Sequence, residues 1–450
     1  MKTKLITLLV LVIFVNTYAQ FGPQQIITTN LSFGSSVYAT DIDGDGDMDV
    51  LSASEGGFGI NVQLAWYEND GEGNFGPQQI ILENTIDDTV SVYATDIDGD
   101  GDMDVLSASI GKIAWHENID GLGDFGPQQI ITTNVEYASS VYATDIDGDG
   151  DMDVLSASQI DNKIAWYENV NGDGTVWTEH IITSNALGAW SVYATDIDGD
   201  GDIDVLSASE LDNEIAWYEN VNGLGTVWTE HIISPDAGMA RSVYSTDIDG
   251  DGDMDVLSAS GDNKIAWYEN DGNGDFGPQQ IITTNALGTW SVYFTDIDGD
   301  GDMDVISGEI AWYENLDGLG DFGPKQIFDI FNAWSVYAED LDGDGDMDVL
   351  AIDSQPGEGE LVWYENLTPL GVNENALLDI SVFPSPTTGF LYIQSTIPIT
   401  QIDVYNQLGQ LVVSNNNKNT IDISSVSQGI YFIKVKDENG NIGSQKVLKK

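Results

Sequence analysis

Nine residues beginning at Asp41, DIDGDGDMD, put a carboxylate at every odd position and glycine at positions 4 and 6. Side chains at alternate positions of a tight loop can converge on one centre. An all-oxygen donor set of this kind suits calcium, which takes six to eight oxygen ligands. Glycine at position 6 permits the sharp turn that such a loop needs. Position 7 of a calcium loop offers its backbone carbonyl, which frees its side chain to point outward. Without a cation, five negative charges in nine residues repel one another and oppose folding.

The nonapeptide occurs seven times, at spacings of 44 to 55 residues. The candidate metal ligands are therefore Asp41, Asp43, Asp45, Asp47 and Asp49 in the first copy, and Asp96, Asp98, Asp100, Asp102 and Asp104 in the second. The third copy supplies Asp145, Asp147, Asp149, Asp151 and Asp153, and the fourth Asp196, Asp198, Asp200, Asp202 and Asp204. The fifth supplies Asp247, Asp249, Asp251, Asp253 and Asp255, the sixth Asp296, Asp298, Asp300, Asp302 and Asp304, and the seventh Asp340, Asp342, Asp344, Asp346 and Asp348. About seven Ca2+ ions are expected, one per copy. The spacing is that of an EF-hand loop cut off at position 9, with strands in place of helices.

The elements around each loop repeat with it. SVYAT or a variant precedes it, DVLSAS follows, then IAWYEN, then a Gly-rich turn and FGPQQII or TVWTEHII. All four segments are rich in β-branched and aromatic residues and bounded by Asp, Asn and Gly, so each unit offers four strands. Four strands at this period point to a β-propeller, with a right-handed solenoid as the competing repeat fold. The fourth segment is permuted. Its first copy, at Phe21, precedes the first SVYAT-type strand, and no copy follows Trp363. A ring closed by the N-terminal strand explains the permutation and leaves no open sheet edge at the seam. The expected fold is all-β: a seven-bladed propeller over residues 20–367, then a small Ig-like β-sandwich. The shorter turns between third and fourth strands, such as NDGEGN, read as Asp-Gly hairpins.

With these residues in view, the chain resembles the FG-GAP and VCBS-type repeat family, whose loop pattern is Asp-x-Asp-x-Asp-Gly-x-x-Asp, as in integrin α-subunit propellers. The resemblance implies calcium between the first and second strands, on one face of the ring. FGP keeps the Phe-Gly element and lacks the Gly-Ala-Pro half, so the resemblance carries the metal loop rather than integrin function.

Composition narrows the function classes. From Gln20 to Asn366 there are 70 acidic residues against five basic ones, Lys112, Lys163, Arg241, Lys264 and Lys325, within a formal net charge of −63. Such a surface repels nucleic acid. The absence of cysteine excludes disulfides and thiol chemistry, and three histidines leave little for transition metals. MKTKLITLLVLVIFVNTYAQ has a basic start, a short apolar core and a small-residue cleavage site after Ala19, the pattern of a secretory signal over 1–19. No later stretch is long and apolar enough to span a bilayer as a helix.

Seven equivalent loops read as structural, so a partner is sought where the repeats differ. The residue before the SV pair is Ser35, Val90, Ser139, Trp190, Arg241, Trp290 and Trp334 in turn. If this strand is innermost, Trp190, Arg241, Trp290 and Trp334 rim the channel opposite the calcium loops. They form either a binding site, stacking on a sugar ring or a partner's side chain, or a plug of the channel mouth. The seven recurrent IAWYEN tryptophans belong to the core. His180 and His231 occupy equivalent scaffold positions, and His116 replaces a tyrosine. No nucleophile or acid–base pair stands out, so a non-enzyme is expected.

Residues 368–372 read as a linker and 373–450 as a small β-sandwich. PSPTTG near Pro384, VYNQLGQLV, GIYFIKV and the basic end are similar to the type A sorting domain of the type IX secretion system. That similarity implies the export machinery as a partner and a destination at the outer-membrane surface or in the medium. The leading expectation is a secreted, calcium-binding adhesion or ligand-binding module for a glycan or a protein. A calcium-dependent polysaccharide lyase or hydrolase and a purely structural surface protein are the alternatives.

Overall fold

A computed structural model describes residues 20–55, 63–83, 88–330, 333–355, 359–367, 380–395, 398–406, 411–416, 419–437 and 442–450. The expected signal peptide and linker lie outside the described residues. The chain divides into two compact units, Met1–Leu370 and Gly371–Lys450. No described helix is long and apolar enough to cross a membrane.

The first unit contains seven four-stranded antiparallel sheets. In the first sheet the strands are Gly34–Thr40, Asp49–Ser54, Gln63–Tyr67 and Gln79–Glu83, paired in chain order. The innermost strand alternates buried and half-buried residues, as a strand with one face on the channel must. All six residues of Asp49–Ser54 are buried, because neighbouring sheets cover both faces. The last sheet is completed as the permutation requires. Ser335–Glu339, Asp348–Ile352 and Gly359–Tyr364 are joined by the N-terminal strand Gln25–Leu31, with Gln25 opposite Trp363. This is a closed β-propeller.

Two rings of side chains trace the closure. Tyr38, Tyr93, Tyr142, Tyr193, Tyr244, Tyr293 and Tyr337, one per innermost strand, contact their neighbours at centroid distances of 4.4–5.0 Å, and Tyr337 returns to Tyr38. Beside them, one serine per sheet accepts a long hydrogen bond from the next sheet's valine amide. Val92 N–H to Ser36 Oγ is 3.3 Å, and Val37 N–H to Ser335 Oγ, across the seam, is 3.4 Å.

The core sits between sheets. Trp166 of the third sheet packs with Val205 and Tyr218 of the fourth, and its Nε1 donates to Gly225 O at 2.9 Å. Gly225 has φ +60°, and a Cβ there would lie 2.4 Å from Trp166 Cζ2, so the close approach requires glycine.

The second unit has a three-stranded sheet, Ile380–Phe383, Phe390–Ser395 and Thr420–Asp422, and a four-stranded sheet, Leu411–Asn416, Ile399–Tyr405, Gly429–Asp437 and Ile442–Lys449. One cluster including Leu391, Ile402, Ile433 and Val447 forms its core.

Trp166 is 1% exposed. Truncating a buried tryptophan removes its transfer free energy and leaves a cavity, so Trp166→Ala is expected to destabilise the propeller by about 3–5 kcal/mol. Urea denaturation in calcium checks this, and a loss below about 1 kcal/mol would contradict the inter-sheet role.

Candidate functional site

Each acidic loop joins the innermost strand to the second. In the first copy, Asp41 accepts from Gly44 N–H at 2.8 Å and Gly46 N–H at 3.1 Å, with both glycines at positive φ. Asp43 Oδ1 accepts from Asp45 N–H at 3.3 Å, and Asp45 Oδ1 from Asp47 N–H at 3.0 Å. These local bonds wind the loop so that its carboxylates face inward. Carboxylate oxygens at positions 1, 3 and 5 in the first and fifth copies, and 1, 3 and 9 in the second, third and fourth, lie within 4.8 Å of one another.

Position 9 is buried in every copy. Asp49 Oδ2 accepts from Ile42 N–H at 3.0 Å and Oδ1 from Asn69 N–H at 2.8 Å. Burial pushes this carboxyl up to about 7 in Asp49, Asp104, Asp153, Asp204 and Asp255, and to about 8 in Asp304 and Asp348. Position 3 is also raised, by burial first and then by the position-5 carboxylate beside it. In the sixth loop Asp298 Oδ1 is buried without a hydrogen-bond partner. Converging carboxylates, of which those at positions 3 and 9 are raised by burial and by neighbouring carboxylates, with an orphaned buried oxygen, fit a hard divalent cation.

Position 7 behaves differently. The Asp47 carboxylate lies against Gly71 in the turn between the third and fourth strands of its own sheet. A Cβ on Gly71 would be 2.5 Å from Asp47 Oδ1. The same contact joins Asp102 to Gly121, Asp151 to Gly172, Asp202 to Gly223, Asp253 to Gly272 and Asp302 to Gly318. Asp346 of the last loop is buried with both oxygens unpartnered, and burial pushes it up to about 7. Six of the seven position-7 side chains thus touch the turn between the third and fourth strands, consistent with a backbone contribution to the loop.

The asparagine that ends each third strand is a site residue that motif reading missed. Asn69 Nδ2 donates to Met48 O in its own loop at 2.9 Å and to Leu341 O in the preceding sheet's loop at 2.7 Å. Asn118, Asn169, Asn220, Asn270, Asn315 and Asn366 repeat the inter-sheet bond to Ile42, Ile97, Ile146, Ile197, Ile248 and Ile297. The available signal was its presence in all seven YEN or HEN triplets.

At the other end of the innermost strands the four rim residues come together as one stack. The Arg241 guanidinium carbon lies 3.5 Å from the Trp290 ring centre and 5.6 Å from that of Trp190. Trp290 stacks on Trp334 at 3.9 Å and 18°. Arg241 is also paired: Nη2 and Nε donate to Glu210 Oε1 at 2.8 and 3.2 Å. The stack walls a cavity of about 180 Å3, whose opposite wall includes Ser35, Ser139 and Tyr137.

The histidines serve the scaffold. His180 and His231 stack on Trp166 and Trp217 at 4.4 Å, with Nε2 at 2.9 Å from Glu168 and Glu219. His116 is buried, neither ring nitrogen has a partner, and burial lowers it to about 4.

Without metal, a position-9 carboxyl raised from 3.8 to about 7 favours the folded state when protonated. Its contribution is complete below about pH 4 and is lost as pH rises through 7. In chelator the melting temperature is therefore expected to fall between pH 5 and 8. In calcium, which needs the ionised form, it is expected to rise. At about ten times Kd each ion adds about 1.4 kcal/mol, so seven add on the order of 10 kcal/mol. A chelator that leaves the pH 8 melting temperature unchanged removes the metal reading.

Comparison with known proteins follows the same lines. Residues 41–107, 96–156, 145–207, 196–258 and 247–307 match the FG-GAP-like repeat family. Residues 381–450 match the secretion system C-terminal sorting domain. No curated protein matches the chain. Among solved structures, BBS1N in complex with ARL6DN, soaked with mercury, is similar with a TM-score of 0.52 at 10% identity, covering 78% of this chain and 97% of that one. The WD40 β-propeller domain of Doa1 gives 0.50 at 13% identity, covering 77% and 97%. At these identities the likeness speaks for the fold alone.

Proposed function

The chain belongs to the FG-GAP-like repeat family and carries a sorting domain for export through the type IX secretion system to the cell surface or the medium, and from that premise we propose that it is a calcium-loaded module for adhesion or ligand binding. Carboxylates at positions 1, 3, 5 and 9 of each loop, with the position-7 carbonyl, would hold one Ca2+. The ion supplies positive charge that turns a repelling loop into a rigid turn. The chain's own part is to hold those carboxylates inward and to link each loop to the next sheet through the third-strand asparagine.

One observation carries the binding reading. The loop sequences repeat with little change around the ring, whereas the opposite mouth places Trp190, Arg241, Trp290 and Trp334 in a single stack on four consecutive sheets. Tryptophan and arginine are the residues that dominate recognition sites. The ligand is a glycan or a protein side chain presented to that mouth.

Two experiments test this. On a glycan array, mature protein in calcium is expected to bind, and Trp190→Ala/Trp290→Ala/Trp334→Ala is expected to lose that binding while keeping its calcium-dependent melting transition. Unchanged binding by the triple variant overturns the rim assignment. Separately, deletion of residues 373–450 is expected to leave the propeller in the periplasm; normal export of the truncated chain refutes the sorting assignment.

A further inference from the structure

Building on the rim reading, we propose that the channel mouth takes one neutral pyranose residue of a glycan, held by the serine ring beneath it and by tryptophan beside it. Three features of the cavity point to that chemistry.

The first is the floor. Ser36, Ser91, Ser140, Ser191, Ser242, Ser291 and Ser335 all line the cavity and are half-buried. Each accepts an amide N–H from the next sheet's valine, as in Val141 to Ser91 and Val336 to Ser291, both 3.4 Å. A hydroxyl that accepts in this way still has its hydrogen to donate. No hydrogen bond of the described residues takes those hydrogens. Ser35 and Ser139 differ, because they donate to Thr89 O and Ala189 O, each at 2.9 Å. The mouth therefore has a floor of serine hydroxyls with a hydrogen free to donate, and sugar hydroxyl and ring oxygens can accept them.

The second is charge. Arg241 is already paired with Glu210 and sandwiched between Trp190 and Trp290, so it offers an incoming anion no free cation. Glu55, which accepts from Tyr137 at 3.2 Å, adds a further acid near the opposite wall. The chain as a whole carries a formal −63. A uronate, sulfate or phosphate would enter against that field, and a neutral sugar would not.

The third is size and shape. A cavity of about 180 Å3 falls below the roughly 300–1,000 Å3 that encloses a drug-sized ligand. It accommodates one sugar ring. Both faces of Trp290 are occupied inside the stack, by Arg241 and by Trp334. Trp334 and Trp190 end the stack, are half-buried and line the cavity. They are the rings against which the apolar face of a pyranose can lie.

The test uses the mature, full-length protein loaded with calcium and follows intrinsic tryptophan fluorescence and calorimetric titration. Probes are neutral gluco-, manno- and galacto-oligosaccharides, oligouronates and a lysine-rich peptide. A neutral series is expected to saturate, with Kd raised about tenfold or more in Trp334→Ala, equivalent to about 1.4 kcal/mol. Trp334→Phe is expected to recover most of the affinity. Melting in calcium shows that both variants fold. Saturation by oligouronate or peptide alone overturns the neutral-sugar inference and leaves the rim reading standing. Neutral binding that is equal in Trp334→Ala moves the site elsewhere and overturns this one. No saturation by any probe overturns the inference, and the array result then decides the broader reading.

Discussion

The buried carboxylate at position 9 of each acidic loop is the interaction on which the propeller depends. Taking an ionised carboxylate out of water is costly unless its oxygens are met. Asp49 meets part of that requirement with two backbone amides, one at the start of its own loop and one at Asn69, although burial still pushes it up to about 7. The Asn69 side chain then crosses to the loop of the preceding sheet. One buried acid thus ties loop to strand, and one asparagine ties sheet to sheet, seven times round the ring. The seam obeys the same rule. Across it, Asn69 of the first sheet reaches Leu341 O of the seventh loop, while the N-terminal strand supplies the seventh sheet's outer edge.

A ring built from near-identical units can specialise only where the units depart from one another. The loops keep all five aspartates and both glycines in every copy, and the inter-sheet tryptophans and the tyrosine ring recur in every sheet. The mouth departs. Half of its circumference carries small residues, Ser35, Val90 and Ser139, and the other half carries the stack from Trp190 to Trp334. Large side chains on one side and small ones on the other turn a symmetric opening into a one-sided pocket. The stack forms for a physical reason. Guanidinium on indole and indole on indole both favour short parallel contacts, and Glu210 neutralises the charge that the arrangement buries.

Most of the fold was legible in the sequence because repetition exposes it. Four strand-like segments per unit, and a fourth-strand copy displaced to Phe21, imply ring closure from the sequence alone. The convergence of the carboxylates at positions 1, 3 and 5 was legible from their spacing, since a loop's local hydrogen bonds depend on residues two to five apart. What escaped were contacts between units. Asn69 to Leu341 spans 272 residues, and no local pattern marks it as more than a strand end. The partner of Arg241 escaped for the same reason. Glu210 lies 31 residues away, in a different sheet, among many other acids. Position 7 was ambiguous because an aspartate facing an ion and one packed on Gly71 look alike in sequence.

Coordination accounts for the clustering of acids but not for their number. The loops hold 35 of the 70 acidic residues between Gln20 and Asn366, and seven divalent ions would offset 14 charges. Most of the acidity therefore remains on the surface when every loop is filled. A field of that sign keeps copies apart and repels anionic partners at a distance. It also raises the importance of any place where charge is locally cancelled. The Arg241–Glu210 pair, under half-buried tryptophans and beside unspent serine hydroxyls, is such a place. The same acidity that suits the loops to a cation thus leaves the opposite mouth as the region where an uncharged, hydroxyl-bearing ligand meets the least opposition.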